Sequence, residues 1–129
     1  MRITKGFSLL ELMVAVAIIA IISGIAIQLY TGYIDNASTG VLAQNIDSMR
    51  VFQEDVRLRN GAYGEGTYDV DGGVTTLTTA IEWQPDDQNG DIVYVVDANA
   101  GGTGYNVIAT HADGTTLCRE FGTTPPACP

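Results

Sequence analysis

Positive charge is scarce: six Lys and Arg stand against 15 Asp and Glu in 129 residues, a formal net charge of −9. Binding to nucleic acid phosphates needs clustered Lys and Arg to displace counterions, so direct nucleic acid binding is not expected. Past the first residues the one concentration of positive charge is Arg50, Arg57 and Arg59, and Glu54 and Asp55 share that segment. Histidine is nearly absent too. The single His111 excludes a multi-histidine metal site and gives a histidine-dependent triad no obvious partner; it reads as a turn residue. Neither a Gly-Lys-Ser phosphate loop nor a dinucleotide-binding glycine fingerprint occurs, so neither catalysis nor a cofactor is expected. Cysteine is limited to Cys118 and Cys128. In a cytosolic protein these would stay thiols; in an exported one they would pair. The length fits one domain with a modest core.

What charge there is lies at one end. Between Phe7 and Leu29 the only charged side chain is Glu11, and every other acidic residue lies from Asp35 onward. Arg2 and Lys5 precede an apolar run, Leu12 to Ile27, which extended to Leu29 covers about 27 Å as a helix, close to the hydrocarbon thickness of a bilayer. Positive charge at the start holds that end in the cytoplasm and places the rest outside, where disulfide chemistry is available. The alternative is a secretory signal cut at Gly24-Ile25-Ala26. Glu11 argues against it, because a carboxylate in an apolar span costs roughly 2.5 to 3.5 kcal/mol at a helix centre and usually has a function and a partner. The helical pattern also continues through Gln28, Leu29, Tyr30, Tyr33 and Ile34 with no proline break.

Lys5-Gly6-Phe7-Ser8-Leu9-Leu10-Glu11-Leu12-Met13-Val14 resembles the prepilin cleavage and N-methylation motif of type IV pilins and pseudopilins. The likeness covers about the first 30 residues closely. It implies that a prepilin peptidase cuts between Gly6 and Phe7, removes a leader of residues 1–6 as in the type IVa class, and methylates Phe7. Loss of Arg2 and Lys5 leaves four arginines against 15 acidic residues, about −11. The resemblance also implies that Glu11 of one subunit pairs with the new Phe7 ammonium of a neighbour during assembly. Small residues at Ala15, Ala17, Ala20, Ser23, Gly24 and Ala26 would let apolar helices approach closely, or are routine residues of a membrane span. Pilins usually carry Pro where Gln28 stands, and a Gly near Ala20; without them, Ser23-Gly24 is the substitute weak point.

Beyond residues 7–30, the transmembrane and assembly helix, an amphipathic continuation is expected over 31–60. Leu42, Ile46, Met49, Phe52 and Val56 recur at helical spacing, with Asp47, Arg50, Gln53, Glu54 and Arg57 on the other face and a stop at Asn60-Gly61. Gly32 and Asn36 to Gly40 are a place to bend or cap. Unbroken, Phe7 to Arg59 would be a rod of roughly 80 Å. Residues 61–129 read as short strands and turns: a connecting loop from Ala62 to Gln84 with one strand around Val74 to Trp83, then strands at Asp91 to Asp97, Gly104 to Thr110 and Thr115 to Phe121. The expectation is an α+β fold, a long N-terminal helix packed on a small antiparallel sheet. This is also the pilin architecture. Paired cysteines would close a loop of about 11 residues worth on the order of 3 kcal/mol, and in pilins a similar C-terminal disulfide loop contacts neighbours.

Asp86-Asp87-Gln88-Asn89-Gly90-Asp91 offers alternating oxygen ligands but lacks EF-hand spacing, so it reads as an acidic turn, with calcium as the alternative. Tyr30 and Tyr33 read as interface packing rather than a path for electrons. The resemblance thus implies a structural subunit, held in the bacterial inner membrane as a precursor and polymerised with itself and other pilins by the pilus assembly machinery. The resulting surface filament would serve adhesion, twitching or DNA uptake. A type II secretion pseudopilin and a membrane-anchored extracytoplasmic binding module are the alternatives.

Overall fold

No proline precedes Pro85. In the computed structural model, which describes residues 6–86 and 91–129, one helix, α1, runs uninterrupted over Leu9–Asn60. The chain divides into two compact units, Met1–Asn36 and Ala37–Pro129, and α1 contributes to both.

In the first unit every described residue is exposed, including Phe7, Leu10, Ile22 and Tyr33. Apolar side chains point outward on all sides, the pattern of a helix made to be surrounded by lipid or by other helices. Among the described residues α1 is the one helix long and apolar enough to cross a membrane.

In the second unit the part of α1 from Ala37 onward packs on a sheet. Five strands, β1 (Gly66–Asp69), β2 (Val74–Thr75), β3 (Ile92–Ala98), β4 (Gly104–His111) and β5 (Thr116–Gly122), lie in the order β2-β1-β3-β4-β5. All neighbours are antiparallel. Leu42, Ile46, Met49 and Val56 of α1 form the core with Tyr94 and Val96 of β3 and Tyr105, Val107 and Ala109 of β4. The expected α+β architecture is therefore observed.

Three local expectations need correction. Phe52, placed on the apolar face by its spacing, is 41% exposed, while Gln53 is fully buried and Asn45 nearly so. Gln53 follows Leu42 by eleven residues, about three whole turns, and so falls at the centre of the buried stripe, whereas Phe52 falls at its margin. The strand expected around Val74 to Trp83 stops at Thr75 and is followed by a short helix, α2 (Thr76–Ile81). Leu77 and Ile81 are four apart, and a helical turn buries both completely. Thr76 Oγ1 ends the ladder by accepting the Thr67 N–H at 2.9 Å, and Glu82 closes α2 in the left-handed region with its N–H on Thr78 O. Strand β1, inside the segment read as loop, buries only Tyr68 and is too short for an alternating signal. Gly66 is required there, since a Cβ would strike the backbone of Leu77. The Asn60-Gly61 stop is as expected: Gly61 takes a positive φ of 80° and donates its N–H to Arg57 O at 2.8 Å.

Candidate functional site

Gly6, Phe7 and Ser8 precede the helix in non-helical backbone, with Phe7 87% exposed. Ser8 is the cap. Its carbonyl accepts the first helical hydrogen bond, from Leu12 N–H at 3.3 Å, and its Oγ accepts the Glu11 N–H at 3.2 Å. The Glu11 carboxylate reaches back, and Oε2 accepts the Ser8 N–H and the Ser8 hydroxyl, each at 3.0 Å. This reciprocal pair is a capping box, which satisfies donors that a helix start otherwise leaves orphaned. The Ser-x-x-Glu spacing ahead of an apolar run was present in the sequence as a signal for it, alongside the resemblance that drew attention to Glu11. Residues 1–5, with Arg2 and Lys5, lie outside the described residues.

At the other end Cys118 and Cys128 form a disulfide, with Cα atoms 5.9 Å apart. Cys118 faces Ile108 across the β4–β5 ladder, and Glu120 faces Asn106. These four residues lie on the face of the sheet opposite the helix, and the C-terminal segment folds over them. Asn106 Nδ2 donates to Ala127 O at 3.3 Å, and the Cys128 N–H donates to Glu120 Oε1 at 2.7 Å. Asn99 fixes the entry to the segment, its Nδ2 donating to Thr124 O at 2.9 Å while Oδ1 accepts the Thr103 N–H at 2.9 Å. Gly104 leaves room for this crossing, as a Cβ there would meet Thr123 O and Pro125. The tail's cover explains why Gly104 and Asn106 are buried on that outer face while Thr110, farther along β4, is exposed.

His111 ends β4 rather than standing within a turn, and pairs with Ile92. Asp113, in the turn to β5, accepts the Thr115 N–H at 2.7 Å and the Ser38 hydroxyl at 3.0 Å, and its Oδ2 lies 3.1 Å from His111 Nδ1. Ser38, Asp113 and His111 thus meet with the carboxylate in the middle. A nucleophilic triad needs the imidazole there, to take the hydroxyl proton. The arrangement instead ties the β4–β5 turn to α1. The Thr115 N–H, followed by the Thr115 and Ser38 hydroxyls and His111, holds the Asp113 carboxyl down at about 2. A surface cleft of about 330 Å³ opens beside it, lined by Asp69, Asp71, Asp91 and His111. Among the described residues no three His, Cys, Asp or Glu side chains gather as a metal ligand set. Most of the acidic turn read as a calcium alternative, residues 87–90, lies outside the described residues.

Tyr30 and Tyr33 are exposed on α1, whereas Tyr63, Tyr68, Tyr94 and Tyr105 are all buried in the core of the second unit. Trp83 Nε1 donates to Ser48 Oγ at 3.0 Å, and Asn45 Nδ2 donates to Tyr94 OH at 2.6 Å. Ser48 and Asn45 of α1, which sequence reasoning did not single out, therefore position the segment after α2 and strand β3.

Residues 1–27 match the family described as the prokaryotic N-terminal methylation motif, the type IV prepilin signature. No solved structure matches the chain. The motif indicates a type IV pilin or pseudopilin precursor and implies processing by a prepilin peptidase and assembly into pilus-like polymers.

Proposed function

We propose that the chain is the structural subunit of a type IV pilus. On this reading a prepilin peptidase cuts between Gly6 and Phe7 and methylates Phe7, and residues 7–30 serve first as inner-membrane anchor and then as filament core. The observation that supports it best is the exposure of the first unit's helix on every side, with Glu11 its only charge before Asp35. Such a surface calls for lipid before assembly and for other apolar helices after it. The disulfide supports an extracytoplasmic second unit, where oxidation is possible. No catalytic constellation is needed for this role: polymerisation is an interaction of surfaces.

Two measurements test the reading. Mass spectrometry of the membrane-extracted chain should find an N-terminus at methylated Phe7; any other mature N-terminus overturns it. Sheared surface fibres should consist mainly of this chain, whereas a processed chain that stays in the envelope without fibres points to a secretion pseudopilus.

A further inference from the structure

A peptidase must hold the bond it cuts free of i→i+4 hydrogen bonding, and in a membrane it must find that bond at a fixed depth. Here the helix begins at Leu9, the Ser8 N–H and hydroxyl are both committed to Glu11, and Gly6–Ser8 stay non-helical. The Gly6–Phe7 bond therefore stands at a set distance above the first helical turn.

We propose that Ser8 is a positioning residue for leader removal: by capping α1 it fixes the register of the Gly6–Phe7 bond relative to the helix end. The inference rests on the reading of that bond as the cleavage site. Cleavage adds water across the amide, leaving a carboxylate on Gly6 and an amine on Phe7. Without the Ser8 hydroxyl the Glu11 N–H loses its acceptor and the helix boundary is no longer pinned. Each residue by which it advances or retreats moves the helix end along its axis by about 1.5 Å, and a whole turn by about 5.4 Å, so the bond no longer keeps one distance from it. Glutamine replaces glutamate in a capping box, so the capping role separates from the charge of Glu11.

The test times leader release from the full-length chain by prepilin peptidase in detergent micelles, by mass spectrometry, with hydrogen exchange at the Glu11 amide read on the same samples. Ser8→Ala should be cut about fivefold more slowly, in line with the loss of an N-cap, and its Glu11 amide should exchange faster. Ser8→Thr, which keeps the hydroxyl, and Ser8→Asn, which caps through an amide oxygen instead, should both return the rate to within about twofold of the parent. Glu11→Gln should be cut at nearly the parent rate. Cleavage of Ser8→Ala at the parent rate overturns the proposal. So does slow cleavage of all three Ser8 variants alike, which would show the peptidase reading the serine itself. If the parent chain is cut elsewhere than before Phe7, it is the underlying cleavage-site reading that fails.

Discussion

The side-chain amide of Gln53 holds both backbone groups of Gly64, its Nε2 donating to the carbonyl at 2.8 Å and its Oε1 accepting the N–H at 2.9 Å. Gln53 is fully buried on α1, so one side chain does for Gly64 what a neighbouring strand would do, and it fixes the chain just before β1. Gln53→Leu keeps the helix and the volume but leaves a backbone donor and acceptor without partners. The expected loss is about 2 to 4 kcal/mol. Gln53→Glu keeps the acceptor but buries a carboxylate against the Gly64 carbonyl, and should cost at least as much as Gln53→Leu. Trp83 is the only tryptophan and is 1% exposed, so its fluorescence reports denaturant unfolding of the full chain in micelles.

Asp113 gives the second unit an acid limit. Its carboxyl is held at about 2 rather than the ordinary 3.8, first by the Thr115 N–H. A lowered carboxyl stabilises the fold at pH values above its ordinary range, and that contribution is lost as pH falls through the folded value. Unfolding midpoints of the parent and of Asp113→Asn should therefore differ most above about pH 5 and converge toward about pH 2. Equal spacing of the two curves across that range would show that the tether to Ser38 and Thr115 owes nothing to charge.

The disulfide secures a segment with little core of its own. Cys118 and Cys128 are ten residues apart, and apart from the bond the tail is held by hydrogen bonds from Asn99, Asn106 and to Glu120. Reduction, or replacement of both cysteines by serine, should cost about 3 kcal/mol in guanidinium unfolding. It should also open the bonds around Thr123 to Pro126 to protease while the sheet stays intact. An unchanged midpoint with unchanged protection would mean that the hydrogen bonds alone suffice.

Much of this fold could be read from spacing. The apolar span, the α1 stop at Gly61 and the three long strands were legible because their periods are regular and their punctuation is glycine or aspartate. What failed did so where polarity and burial part company. Gln53 and Asn45 look like surface residues until a partner that is distant in sequence, Gly64 or Tyr94, is known to face them. Thr-rich Val74 to Trp83 carries a strand propensity that the joint burial of Leu77 and Ile81 overrides. At the N-terminus the residues of the motif are legible, but the cap that Ser8 and Glu11 form within one chain is masked, because the resemblance assigns Glu11 to a neighbour.

The cap and the proposed filament contact draw on the same Glu11 carboxylate. In the single chain the carboxylate is satisfied by Ser8. In the proposed filament it meets a neighbour's Phe7 ammonium among apolar helices. Removing one member of a buried pair leaves the other charge uncompensated, at a cost of about 3 to 5 kcal/mol for each contact, which lowers the association constant roughly a hundred- to a thousandfold or more. Glu11→Gln keeps the capping box and removes only the charge, so it should yield processed chain that accumulates in the membrane, with fibres reduced to traces. Glu11→Ala should lose fibres as well and release its leader more slowly, since it also breaks the box. The two pools are separated by shearing and sedimentation, quantified by immunoblot, and checked by mass spectrometry for the Phe7 terminus. Glu11→Gln fibres at the parent yield would show that the carboxylate serves the cap alone and that the helices assemble by packing.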